Sequence, residues 1–201
     1  MSSALHLFLA GGYVMWPILL ASIITVAIAV ERFRFYQQSA TDMALLKRQL
    51  PLLVSTGKMQ EAKALCHQAG GILGEALADV IDKSHSPINL KDYLEGSLTQ
   101  SAVSIRANLN YLSAIVTLSP LLGLLGTVTG MISAFDVLSI SDGQPFAITG
   151  GVAEALIATA FGLFVAILAL IVHVWLSQLA NRLITDIETG ANHFLASCKV
   201  N

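Results

Sequence analysis

The sequence predicts an all-α, polytopic membrane protein with three transmembrane helices and long cytoplasmic helical extensions. The first observation is composition: of 201 residues, 55% are hydrophobic and only 12% charged, about half the charged share of a soluble globular domain. Mean hydropathy is correspondingly high, at +0.71. The second is that three nearly charge-free stretches reach the roughly 20 residues a helix needs to cross a hydrocarbon layer. The third is the absence of any strand-like alternation. Such a composition disfavours a soluble enzyme. The balance of 11 Lys+Arg against 13 Asp+Glu, net −2, leaves no basic field for nucleic acid. Cys66 and Cys198 are distant and outside ligand spacing, so they are read as free thiols. No metal or other cofactor is expected.

In chain order, residues 1–12 form an outer N-terminal segment and residues 13–30 the first transmembrane helix, stopped by Glu31 and Arg32. Tyr13 and Trp16 suit the outer interface, and Pro17 lies in the first turn, where a missing N–H costs least. The span lacks the basic flank of a signal peptide and is expected to stay as an anchor. Residues 31–106 form a cytoplasmic helical loop. Apolar residues recur at helical spacing over Asp42–Val54, Lys58–Gln68 and Leu73–Lys83, with breaks expected at Pro51, Gly57, Gly70-Gly71 and Pro87.

From Asn89 the pattern of Leu90, Tyr93, Leu94 and Leu98 continues without a breaker into the second transmembrane helix, residues 107–135. An outer connector, 136–147, leads to the third, 148–176, which is uncharged except for Glu154. The tail, 177–201, carries Leu179, Leu183, Ile187, Ala191 and Phe194 as a helical stripe. Two long helices are therefore expected to leave the membrane together. Nine of the eleven basic residues lie between the first and second spans, and Arg182 and Lys199 follow the third. The positive-inside rule then places the loop and tail in the cytoplasm and the N-terminus outside.

Inside the membrane, one side of the second span gathers Ser119, Gly123, Gly126, Thr127, Gly130, Ser133 and Ala134. The third span has a matching face of Gly151, Glu154, Ala155, Ala158, Gly162, Ala166, Ala169 and His173, with Thr159 at its edge. Small residues let helices approach closely, so Gly123, Gly126, Gly130, Ala158 and Gly162 are expected to pack helices and to hold a homo-oligomer. Glu154 is the candidate functional group, because an ionisable residue within a span is costly. Counting inward from the outer boundary puts Thr127 and Glu154 at one depth, roughly 10 Å down, where a carboxyl and hydroxyls could relay protons. His173 is read as a satisfied interface histidine.

The strings Ser-Pro-Leu-Leu-Gly-Leu-Leu-Gly-Thr-Val-Thr-Gly-Met-Ile-Ser-Ala-Phe (Ser119 to Phe135) and Gly-Gly-Val-Ala-Glu-Ala-Leu-Ile-Ala-Thr-Ala-Phe-Gly-Leu (Gly150 to Leu163) resemble the ExbB/TolQ/MotA proton-channel family, nearest its ExbB and TolQ branch. Met15-Trp16-Pro17 with Glu31-Arg32 is similar to ExbB-like first spans. The resemblance implies a bacterial inner-membrane protein, a pentamer around two copies of a single-span ExbD/TolR-like partner. It further implies proton flow that drives work at the cell envelope, with a TonB-like or other envelope effector as a further partner. It carries polar pore roles to Thr127, Glu154 and Thr159. One departure is Leu168, where such third spans carry proline after an Ala-Ile pair, which implies a straighter inner half of the helix. The competing expectation is a passive oligomeric scaffold in which Glu154 is structural. An intramembrane enzyme is not expected, since no zinc-protease, nucleophile-elbow or paired-aspartate pattern occurs.

Overall fold

The computed structural model describes residues 8–83, 89–140 and 145–198. They form α1 (Met15–Ser39), α2 (Met43–Ser55), α3 (Met59–Ala69), α4 (Gly71–Asp82), α5 (Leu90–Arg106), α6 (Leu109–Ile140) and α7 (Pro145–Cys198). No strand occurs among the described residues. Pro87, Lys199 and the side chain of Cys198 lie outside them.

Caps and left-handed turns set most boundaries. The Asp42 carboxylate accepts from the N–H groups of Ala44 and Leu45 at 3.1 and 3.0 Å and starts α2. Asn89 accepts from Lys91 at 3.1 Å and starts α5. Gly57 and Gly70, at φ +72° and +60°, end α2 and α3. Pro51, by contrast, does not break its helix. It sits inside α2, whose Leu46, Leu50 and Val54 are all buried. That packing outweighs the roughly 3 kcal/mol a mid-helix proline costs.

The expected continuous run from Asn89 into the second span is also interrupted. α5 ends at Arg106, and Asn108 adopts φ +65° before α6 begins. Asparagine is among the few residues that tolerate that conformation. α6 continues to Ile140 and α7 begins at Pro145, a residue favoured at the first helical position. The helices thus occupy much of the expected connector and leave only 141–144, which lie outside the described residues.

Two helical stretches, within Leu90–Asp136 and Thr149–Ser197, are long and apolar enough to cross a membrane. The expected first span is not among them.

The chain divides into two compact units. The first comprises Met1–Val30 and Asn108–Trp175. Its core is small: Val14, Ile18, Ile115, Val165 and Ala169, with Ala21, Val116, Leu122 and Phe161 packed on it. Its surface is apolar, with Ile23, Leu121, Phe164 and Ile171 each more than half exposed. Such a surface suits lipid or other subunits, not water.

The second unit comprises Glu31–Ala107 and Leu176–Asn201. Leu73, Leu77, Val80, Leu94 and Ile105 are fully buried there. The α7 stripe that faces this core is Leu176, Ala180, Ile184, Ile187, Ala191 and Phe194. The expected positions Leu179 and Leu183 are only half-buried. Gly190 admits the side chains of Leu73 and Met43 where a Cβ would collide.

The end of α5 receives two donors from α1. Arg32 Nη1–H donates to the Ser104 carbonyl and the Tyr36 hydroxyl to the Ile105 carbonyl, each at 3.0 Å. Both carbonyls belong to the last turn, where acceptors outnumber helical donors, and that of Ser104 also accepts from the Ala107 N–H at 3.3 Å. Glu31 neutralises Arg32 through bonds of 2.6 and 2.5 Å and holds its guanidinium pKa up, while burial raises that of Tyr36. Glu31-Arg32, read from sequence as a membrane stop, thus also caps a helix.

Candidate functional site

α6 and α7 run antiparallel within the first unit. Their contacts progress in opposite chain directions. A Cβ built on Gly162 would stand 2.7 Å from the Ser119 carbonyl oxygen and 2.9 Å from Gly123 Cα. One on Gly123 would lie 3.1 Å from Thr159 Cα, and one on Gly130 would lie 3.0 Å from Ala155 Cβ and 3.1 Å from the Gly151 carbonyl oxygen. Gly126 meets Ala158 in the same way. The five expected packing residues, Gly123, Gly126, Gly130, Ala158 and Gly162, therefore join two helices of one chain.

Close approach creates a polar link between the helices. The Thr159 hydroxyl donates to the Gly123 carbonyl at 3.0 Å. Thr127 instead donates along its own helix, to the Leu124 carbonyl at 2.6 Å. Thr129, which sequence reasoning passed over, donates to the carbonyls of Leu125 and Gly126 at 3.0 and 3.2 Å. Each hydroxyl keeps lone pairs with which to accept.

Glu154 is half-buried on α7, and its carboxylate lies against Gly12 in the turn before α1. Among the described residues, no hydrogen bond or ion pair reaches that carboxylate. The helix register also corrects its expected depth. With Ala155 opposite Gly130 and Ala158 opposite Gly126, Glu154 is level with Gly130, and Thr127 lies about one turn away, roughly 5 Å. Equal counting from assumed span ends fails because α6 and α7 extend past those ends. The structure thus brings Thr159 onto α6 and Glu154 onto Gly12, and it does not join Glu154, Thr127 and Thr159 in one hydrogen-bonded cluster.

Two further polar atoms stand out. The Ser119 hydroxyl and His173 Nδ1 are buried without a hydrogen-bond partner among the described residues. From sequence His173 is expected to be a satisfied interface histidine; within the described residues of this chain its Nδ1 has no partner. Cys66 is a free, buried thiol, and among the described residues no group of His, Cys, Asp and Glu is placed to hold a metal ion.

Residues 64–189, which include Thr127, Glu154 and Thr159, match the MotA/TolQ/ExbB proton channel family. The chain is 35% identical over 171 residues to the protein named ExbB-like 1 of Synechocystis sp., covering 82% of this chain and 67% of that protein. It is 27% identical over 188 residues to the biopolymer transport protein exbB1 of Vibrio cholerae, with 90% and 82% covered. With the Tol-Pal system protein TolQ of Pseudomonas aeruginosa it shares 37% identity over 101 residues, half of this chain and 44% of that protein. A family match spanning more than half of the residues, with the glycine-bearing α6 and the carboxyl-bearing part of α7 inside it, means that the chain belongs to the MotA/TolQ/ExbB proton channel family.

Proposed function

We propose that the protein is an ExbB/TolQ-like subunit of an inner-membrane proton-channel motor. In this reading it couples the proton motive force, through an ExbD/TolR-like single-span partner, to transport or mechanical work at the cell envelope. The observation that carries the reading is Glu154: a carboxylate in an apolar helix, half-buried, with no hydrogen-bond or ion-pair partner among the described residues. A structural carboxyl at that depth is expected to have a partner that offsets its desolvation. One that exchanges protons has to remain open to a changing one. Thr127 and Thr159 supply hydroxyls near it, on α6 and α7, and complete the proposed proton pathway.

Three spans follow in this reading. α6 and the first half of α7 provide two, and the apolar part of α1 provides the third, with Leu20, Ile23, Val26 and Val30 exposed for lipid. The basic residues of α1–α5 keep that part of the chain cytoplasmic, leaving the N-terminus outside and the C-terminus inside. The protein assembles as a homo-oligomer, a pentamer around two partner copies. Because the small-residue faces are spent within the chain, the subunit and partner contacts fall to bulky exposed groups such as Leu121, Leu124, Val128, Leu156 and Phe164.

The test is proton uptake by liposomes holding the protein, with and without the partner, under an imposed membrane potential. Partner-dependent flux is the expected result. No flux with the partner bound would favour the passive scaffold.

A further inference from the structure

The turn before α1 contains two glycines with different work. Gly12 is at φ +70°. A Cβ there would collide with Glu154 Oε1 and stand 3.0 Å from its Cδ and 3.5 Å from its Cγ. A Cβ on Gly11 would stand 2.7 Å from Met15 Cγ and Sδ and 3.2 Å from Ile157 Cγ2. The turn itself is well held. Gly11 N–H donates to the Phe8 carbonyl at 3.3 Å and Met15 N–H to the Gly12 carbonyl at 3.2 Å. The Phe8 ring meets that of Trp16 edge-on at 5.4 Å. Val14 and Met15 are 6% and 1% exposed, so the segment is anchored on both sides of Gly12.

We propose that Gly12 is the positioning residue for the Glu154 carboxyl: the turn formed by residues 8–14 is a seat, and the missing side chain at Gly12 is the space the carboxyl occupies. The seat fixes the carboxyl on the α1 side of α7 and shields that side of it, leaving the residue half-buried. A carboxyl oxygen is the Glu154 atom nearest the Gly12 Cβ position, ahead of Cδ and Cγ, so a side chain one methylene shorter draws its carboxyl back from the turn. The functional consequence rests on the proposed proton-carrying role of Glu154, but the seat itself stands on geometry alone.

The experiment uses the full chain with its partner in liposomes and reads two quantities, proton flux and the rate at which dicyclohexylcarbodiimide labels residue 154. Gly12→Ala should label Glu154 several-fold faster than the unmodified protein and lower flux about tenfold, a moderate loss for a displacement of order one ångström. Glu154→Asp combined with Gly12→Ala should recover flux relative to Gly12→Ala alone, because the shorter carboxyl clears the new methyl group. Gly57→Ala separates the backbone cost of a left-handed alanine from the collision, since Gly57 has φ +72° and nothing within 4 Å of its Cβ position. It should change neither quantity. Where Gly12→Ala does not accumulate in membranes, Glu154→Asp alone serves, and its withdrawn carboxyl should label several-fold faster. An unchanged labelling rate in whichever variant is measured, or no recovery in the double variant, overturns the seat. Absent flux in the unmodified protein together with faster labelling in Gly12→Ala would instead overturn the proton-carrying role and leave the seat in place.

Discussion

Replacing Gly162 with alanine adds one methyl group where α7 meets the backbone of α6. The methyl carbon would stand 2.7 Å from the Ser119 carbonyl oxygen, 2.9 Å from Gly123 Cα and 3.1 Å from Gly123 N. All three are backbone atoms, so no change of side-chain rotamer relieves them. Contacts of this kind are comfortable at about 3.5 Å or more, so the helices must part by roughly half an ångström to an ångström. Overpacking on this scale costs about 1–3 kcal/mol. Separation also stretches the 3.0 Å bond from Thr159 to the Gly123 carbonyl, and an interhelical bond in a membrane is worth about 0.6 kcal/mol. Alanine's helix propensity returns roughly 0.5–1 kcal/mol. The net expectation is a loss of about 1–3 kcal/mol. Gly150, on the same helix, has nothing within 4 Å of its Cβ position, so Gly150→Ala should be stabilising by up to about 1 kcal/mol. Unfolding by sodium dodecyl sulfate in mixed micelles, followed by circular dichroism, compares the two. Equal midpoints would refute the claim that backbone contact at Gly162 sets the helix separation.

Three other outcomes follow from the second unit and its boundary. Tyr36→Phe should lose about 1 kcal/mol and Arg32→Ala about 2–3 kcal/mol in thermal unfolding, since the first removes a neutral donor and the second a charged one from the α5 carbonyls. Asn108→Val should cost about 1–2 kcal/mol more than Asn108→Gly, because the backbone there is left-handed. Burial pushes the Cys66 thiol from 9.0 up to about 11, so the folded chain holds that proton more tightly than the unfolded one. The stability this confers is present below pH 9 and is lost as pH rises towards 11. Denaturant titrations should show the unmodified protein losing about 2 kcal/mol more than Cys66→Ala over that range.

Much of the helical framework was legible because caps and glycines act locally. Asp42, Gly57, Gly70 and Asn89 stop or start helices through their own backbone and side-chain geometry. Packing decides the cases that local rules miss. Pro51 reads as a breaker, yet three buried residues on its helix keep the chain helical. Ala180 and Ile184 displace Leu179 and Leu183 from the buried stripe because the facing surface selects by fit, and alanine is easily discounted in a hydrophobic pattern. At the site, the small-residue faces of α6 and α7 were visible as periodicity, but periodicity does not say whether the partner helix belongs to the same chain. Gly12 was invisible for a different reason. Its contact with Glu154 joins residues 142 positions apart, and only the Gly11-Gly12 doublet hinted that a backbone there comes close to something.

The most direct test of the account is proton flux through Glu154→Gln, with the partner present and membrane levels verified. Glutamine keeps the size and hydrogen-bonding capacity of the side chain and removes its titration. If Glu154 carries protons, flux and partner-dependent work should fall to background while assembly is preserved. Thr127→Val and Thr159→Val should retain part of the flux, because water in a wet pore can replace a hydroxyl. Full flux in Glu154→Gln would contradict the account, since a carboxyl that can be replaced by an amide without loss is not a proton carrier.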